Sequence, residues 1–481
     1  MLLGVFFVNK KINRIISFLM VVCFVLSCTA CGGAENNNSQ NNESNNSPAP
    51  IEHIIISTPT VSESDVPKYF PTSLTLSIYD TNTSTYGFTW NTKAEPKSPM
   101  IQICEGEVFD ESKCTEFNAS VKTEKVLMPG EVTIYVCKAE IVLEENKTYA
   151  YRAFDKETCV SSKIASFKTA NFKADSFKFV HISDSQVASA ETDTQHSAVG
   201  TGDYFGRTLA GILESKPNFL LHTGDFVENS KYETYWKSML HDNAKYLMQT
   251  PLMVVAGNHD TTYLAGDNEN FKHFNYKIPT QASTNRGYYY SFNYCNTKFI
   301  MVNTNNLVNQ KLETEQYEWL LNELKTNDKK WTIVALHNPL FSVGEYGTNR
   351  PTITLALRSQ LASVFSRYGV DLVLQGHDHV YSKTYPIDEF GGADVNPTYK
   401  TENSVKYTVN PQGTIYAMHG PAGNQKCSPV EVKKNLYEYA DSSKECSWAE
   451  ISIDGNKLTV HVKYYENNKT KTAYSYGIIK K

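Results

Sequence analysis

Apolar and polar positions follow two different rhythms along the body of the 481-residue chain. From about residue 69 to 169, short runs alternate apolar with polar: "LTLSIYD", "YGFTWNT", "MIQICEG", "VTIYVCKAEI", "KTYAYRAFD" and "IASFKTA". Successive side chains of a strand point to opposite faces, so a period of two predicts strands, and the Asn, Pro, Gly and Lys clusters between the runs predict turns. Many short strands at this spacing predict an all-β sandwich, expected over 67–172. At "FKFVHISDSQ" the rhythm changes. Continuous apolar runs now alternate with amphipathic stretches such as "YETYWKSMLHDNAKYLM", "LETEQYEWLLNELKT" and "TLALRSQLASVFSRYG". Strands alternating with helices predict a layered α/β domain, expected over 175–481. The last stretch, "WAEISIDGNKLTVHVKYY", returns to β alternation and is expected to complete a sheet.

The beginning of the chain follows neither rhythm. Lys10, Lys11 and Arg14 precede the apolar run "IISFLMVVCFVLS", and "CTACGG" follows. That order predicts a secretory signal over 1–31. Its end resembles a bacterial lipoprotein signal, which implies lipidation of Cys31, after Thr29-Ala30, with Cys28 as the alternative. An uncleaved membrane anchor is the other reading of the same run. Residues 32–66 open with "GGAENNNSQNNESNNSPAPIEH", too polar to bury a core, and predict a disordered tether. The body is thus expected outside the cytoplasm, secreted or held at the cell surface by a lipid anchor.

Composition narrows the partners. An apolar fraction of 41% with 12% aromatic residues supports a large core. The net charge of -5, with no basic block, argues against a nucleic-acid polymer as partner. Ten cysteines fit an oxidising compartment. Beyond the signal none has CxxC spacing. Proximity makes disulfides Cys104–Cys114, Cys137–Cys159 and Cys427–Cys446 plausible and leaves Cys295 over.

The chemistry lies where the apolar runs stop. "KFVHIS" ends in Asp184-Ser185-Gln186, "NFLLHT" in Gly224-Asp225 and "LMVVA" in Gly257-Asn258-His259-Asp260. "WTIVAL" ends in His337, and "DLVLQ" in Gly376-His377-Asp378-His379. Sites of α/β sheets form beyond the carboxyl ends of strands, so five strands would deliver Asp, Asn and His side chains to one place. Each turn alone has an ordinary structural reading; their ordered recurrence at matched strand ends does not. His377 and His379, two apart in extended chain, can face one point.

This ordered set resembles the calcineurin-like metallophosphoesterase superfamily. The β domain before it makes the chain most similar to the purple acid phosphatase branch, whose members carry a fibronectin-III-like N-terminal sandwich. The resemblance implies an α+β/α/β fold, a layered β-sandwich core flanked by helices and preceded by a small all-β fibronectin-III-like sandwich. It implies two metal ions, drawn from Fe, Mn or Zn. Asp184, Asp225 and His379 would hold the first, and Asp225 would bridge to a second held by Asn258, His337 and His377. His259 would sit over the phosphate and stabilise charge or protonate the leaving oxygen, with Asp260 orienting it. The implied reaction is hydrolysis of phosphate monoesters of small molecules by attack of a metal-bridging hydroxide. Two positions depart from the pattern. Gln186 stands where many members have histidine, and Glu228 where purple members have tyrosine. Either is a possible metal ligand or a supporting group, and no purple colour is expected.

Two rival readings share these residues. A phosphodiesterase or nucleotidase would use the same metal core. The segment 261–292 then lines the pocket: Tyr288, Tyr289 and Tyr290 either stack a base or pack on the core, and His196, His273 and Arg286 are phosphate-contact candidates. A tethered surface-binding protein with a relic site is the non-enzymatic reading. The sandwich carries no cluster of histidine or charge, so a chain starting near Asp175 is expected to keep activity if it folds.

Overall fold

The computed structural model describes residues 61–62, 64–128, 130–188, 202–261, 272–279, 289–305 and 307–481. The signal, Cys28 and Cys31, almost all of the tether, His196, Arg286 and Tyr288 lie outside the described residues. Among the described residues no helix is long and apolar enough to cross a membrane.

The alternating runs form two antiparallel sheets. One orders the strands Thr72–Asp80, Thr85–Thr92, Glu131–Val142 and Ser120–Leu127. The other is built on Pro99–Glu105 and Thr148–Asp155, with Thr115–Asn118, Val160–Ser161 and Ala165–Lys168 at its margins. Leu76, Phe88, Trp90, Ile101 and Tyr151 fill the space between them.

The continuous runs form two larger sheets. In the first, Leu252–Val254, Phe219–His222 and Ser176–Ile182 run parallel, and the C-terminal strands Ser447–Asp454, Lys457–Glu466 and Lys469–Ile479 extend it. In the second, Thr297–Met301, Trp331–Ala335, Leu372–Gln375 and Ile415–His419 run parallel. A strand covered on both faces must be apolar at every position, which is why these runs lack alternation. In the second sheet Ile333, Leu372, Leu374 and Ile415 point to the inter-sheet core. Val334, Val373 and Tyr416 point the other way. There Leu320 and Leu324 of the helix Thr314–Lys325 and Leu357, Leu361 and Phe365 of the helix Thr352–Arg367 cover them. Between the sheets, Phe299 meets Phe179 and Phe219 edge-on, with centroids 5.2 and 5.4 Å apart. Each such pair adds about 0.5–1.5 kcal/mol beyond area burial.

The sandwich shares this core. Leu76, Phe88 and Trp90 belong to the same buried cluster as Trp236, Phe274 and Phe179. Thr75 Oγ1 donates to the His273 carbonyl at 2.7 Å, Ser77 Oγ to that of Asn275 at 2.5 Å, and Tyr151 OH to that of Met248 at 2.8 Å. Cutting at Asp175 would therefore expose a continuous core.

The expected disulfides are corrected too, because all seven cysteines in the described region are free thiols. Cys137 lies fully buried between the sandwich sheets, whereas Cys159 sits on the turn after Thr148–Asp155. Cys114 and Cys104 touch as thiols, and burial and that contact push Cys114 up to about 12. Cys446 donates to the Tyr204 carbonyl, and Cys427 lies beside His379.

Candidate metal centre

Paired registers align the strand ends that carry the site. Ile182 lies opposite His222 and His222 opposite Val254 in the first sheet, and Ala335 opposite Leu374 in the second. The turns beyond them are tight. Asp184, Gln186, Asp225, His377 and His379 all have positive φ. Non-glycine residues there cost about 1–3 kcal/mol each, strain that concentrates at functional sites. Glycines admit the close approaches. A Cβ on Gly257 would fall 2.1 Å from Asp225 Oδ1, and one on Gly376 would sit 3.1 Å from both Asp184 Oδ2 and His337 Nδ1.

Two groups result. In one, His379 Nε2 lies 3.3 Å from Asp184 Oδ1, and Asp184 also accepts the His377 amide at 3.0 Å. In the other, His337 Nε2 lies 3.3 Å from Asp225 Oδ2, 2.9 Å from Asn258 Oδ1 and 3.2 Å from His377 Nδ1. Ligand atoms of Asp225, His337 and His377 all fall within 4.8 Å of one another. The imidazoles are oriented from behind by carbonyls: Thr223 accepts from His337 Nδ1 at 2.8 Å and Gln425 from His379 Nδ1 at 2.7 Å. Such outer partners fix which ring nitrogen faces the centre. Thr223 and Gln425 act through backbone oxygens, so no side-chain motif announces them.

This geometry tests the fit of a cation. With Nδ1–H spent on Thr223, the neutral His337 ring presents only a lone pair at Nε2. That lone pair faces a carboxylate oxygen and an amide oxygen, both acceptors, and a second imidazole nitrogen. On the turn after Asp184, the Gln186 amide oxygen is likewise buried with no hydrogen-bond partner. Acceptors converging on acceptors need a cation or extra protons. Burial alone would depress His337, yet Asp225 beside it pushes it up to about 9. Burial would likewise raise Asp184, but His379 holds it below the ordinary carboxylate value. Oxygen and nitrogen donors of this kind fit the ions expected from the sequence.

His259 stands apart. Its amide donates to Asp225 Oδ1 at 2.8 Å, its Nδ1 to the Glu228 carbonyl at 2.7 Å, and its Nε2 lies 4.0 Å from Asp225 Oδ2. Its side chain is 27% exposed, and with Nδ1 held by Glu228 the ring nitrogen left over is Nε2. The adjacent Asp260 also acts on the backbone around this turn. The Asp260 carboxylate accepts the amides of Asp225 at 2.7 Å, Phe226 at 2.9 Å and Gly257 at 2.8 Å, and so ties the Gly224-Asp225 and Gly257-Asn258 turns together. Glu228 lies at the rim, 3.9 Å from His259 Nδ1, and accepts from Gln425 Nε2 at 3.1 Å. His273 is fully buried against Glu233, away from the cluster. Tyr290 bonds Val254 and stacks on Tyr276 at 4.6 Å, and Tyr289 packs on Trp319 at 4.7 Å, so both are core residues.

The family described as calcineurin-like phosphoesterase matches residues 177–381, the stretch that carries every one of these turns. The chain carries a calcineurin-like phosphoesterase domain. Purple acid phosphatase 21 of Arabidopsis thaliana is 26% identical over 257 residues, covering 51% of this chain and 53% of its own. Purple acid phosphatase 15 of the same plant is 23% identical over 336 residues, covering 63% and 55%. The chain thus spans just over half the length of these curated relatives. The fold is similar to that of a purple acid phosphatase from yellow lupin (Lupinus luteus) seeds, with a TM-score of 0.70, 18% identity, and coverage of 86% and 75%.

Proposed function

We propose that the chain is a dinuclear-metal phosphoesterase that hydrolyses phosphate monoesters of small molecules, exported and lipid-anchored through Cys31. The observation that carries the reading is the convergence of acceptors on His337 Nε2, which a cation would satisfy. Asp184, His379 and Gln186 would hold one ion, Asn258, His337 and His377 the other, and Asp225 would serve both. When bound, such a pair supplies a nucleophile at neutral pH and offsets the charge of the transferring phosphoryl group.

The protein's own groups do the rest. Asp260, by gripping three amides, fixes the distance between the Asp225 and Asn258 turns. The Glu228 carbonyl fixes the His259 ring, so its Nε2 is the atom that meets substrate. Burial would lower His259, but Asp225 raises it above its ordinary value and favours the protonated form. A proton held at Nε2 can pass to the leaving oxygen as the ester bond breaks. Glu228, where the sequence reading left a possible ligand, would tune His259 and Gln425 from the rim.

The test is a substrate panel on purified protein loaded in turn with Fe, Mn or Zn. Monoesters are expected to turn over fastest. Faster turnover of diesters would replace this reading with the phosphodiesterase one, and full metal with no turnover on either class would leave the relic-site reading. Cys31→Ser is expected to release the protein or block processing.

A further inference from the structure

Asp378 stands between two site histidines yet takes no part in their cluster. Its carboxylate is spent on the segment after His337. Ser342 Oγ donates to Oδ2, the Tyr346 amide to Oδ1 at 3.1 Å and the Gly347 amide to Oδ2 at 3.2 Å. The segment is packed so closely that a Cβ on Gly344 would fall 2.6 Å from Asp378 Cγ, and one on Gly347 2.1 Å from the Ser342 carbonyl oxygen. Three hydrogen bonds to one buried carboxylate therefore hold this turn in place.

The consequence is the placement of one ring. The Tyr346 centroid lies 4.0 Å from that of His377, with the planes at 48°. His377 Nδ1 is in turn 3.2 Å from His337 Nε2. Tyr346 thus packs directly on a member of the cluster, yet it stays 36% exposed. Arg350 lies 6.0 Å from the ring centre and pairs with Glu345 at 3.0 Å. A partly exposed aromatic ring beside the candidate centre is a surface against which a flat group packs.

We propose that Tyr346, positioned by Asp378, is an aromatic platform at the mouth of the site and selects phosphoesters whose leaving group is a flat ring over those with an alkyl leaving group. The inference rests on the phosphoesterase reading. Asp378 is a positioning residue: it touches neither substrate nor ion and acts through the turn that carries Tyr346.

The test uses the full metal-loaded chain and two ligands that are not hydrolysed, phenylphosphonate and methylphosphonate, followed by calorimetric titration with metal content measured alongside. Wild type is expected to bind the phenyl compound more tightly. Tyr346→Ala should weaken phenylphosphonate by about three- to tenfold, the size of an aromatic contact, and leave methylphosphonate and metal content unchanged. Tyr346→Phe should keep the preference. Asp378→Ala and Gly344→Ala, which release or displace the turn, should lose it with metal retained. A wild type that binds neither phosphonate overturns the phosphoesterase reading itself. A wild type that binds both, with an unchanged phenyl preference in Tyr346→Ala, overturns the platform alone. Loss of both ligands and of metal in Tyr346→Ala also overturns it, because Tyr346 would then be a buttress for His377.

Discussion

Two buried clusters pair histidine with carboxylate in this molecule, and they are balanced in opposite ways. At the joint with the sandwich, Glu233 meets His273 Nε2 at 3.4 Å and Lys272 Nζ at 3.5 Å. Asn91 Nδ2, from the sandwich, lies 3.2 Å from both Glu233 Oε1 and His273 Nδ1, and Trp236 stacks on the His273 ring at 4.8 Å. A cationic side chain and an amide donor face the carboxylate, so its charge is paired, although Glu233 Oε2, His273 Nε2 and Asn91 Oδ1 are buried without a hydrogen bond. At the strand ends, two carboxylates, an asparagine oxygen and imidazole nitrogens converge, and among the described residues no Lys or Arg pairs with them. Burial alone does not separate a structural cluster from a functional one. The pairing of the carboxylate with a lysine at the joint, and with imidazoles alone at the strand ends, does.

The largest effect that could break this comparison is removal of the sandwich. A chain beginning at Asp175 loses the Asn91 contact and exposes Phe274 and Trp236 of the shared core. It is expected not to fold, as read by circular dichroism and gel filtration. A folded, metal-binding fragment would show that the joint is dispensable. Asp225→Ala comes next: it removes the carboxylate common to both half-sites, and turnover should fall about 10³-fold or more together with metal content. Glu233→Ala separates the clusters most cleanly. Stripping one partner from a buried ion pair costs about 3–5 kcal/mol, so denaturation midpoints should fall while metal content and turnover of the folded protein stay. His259→Ala should keep both ions and lower turnover by about 10²–10⁴, and less on esters with good leaving groups. Loss of metal in that variant would make His259 a structural residue of its turn.

The same contrast explains what could be read in the sequence. The candidate site was legible because each candidate ligand stands at the end of a continuous apolar run, and parallel strands in register bring such ends together. The sandwich strands were legible where one face is buried, as in "LTLSIYD". They were not where both faces are wet: Ser120–Leu127 is exposed at most positions, so no apolar alternation marks it. The joint was invisible. Asn91, Glu233 and His273 are far apart in the chain, and each alone reads as an ordinary polar residue. The grip of Asp260 was hidden for a related reason, since the Asp225 and Phe226 amides it accepts lie 35 and 34 residues away. Asp378 was passed over because its partners lie 31 to 36 residues away.

The smallest effect is the response of the metal-free protein to pH, where the clusters should pull in opposite directions. At the joint, burial lowers His273 below its ordinary 6.5 despite Glu233. The unfolded chain then binds a proton that the folded one refuses, so this contribution is lost as pH falls below about 6.5. At the site, Asp225 outweighs burial and pushes His337 up to about 9. Here the folded chain holds the extra proton, so the contribution is complete below 6.5 and is lost as pH rises through about 9. His379, raised by Asp184 against its burial, adds to the same alkaline flank. Metal-free protein should therefore melt at the highest temperature near pH 6.5 and lower on either side. His273→Phe should shrink the acid flank without abolishing it, because His181, His222 and His419 are buried and lowered as well. Adding metal replaces the proton at His337 Nε2 and should erase the alkaline flank. Melting curves of metal-free protein from pH 5 to 9 decide the point: a flat alkaline side would mean that the strand-end cluster is already balanced without a cation, as the joint is, and the distinction between the two clusters would fall.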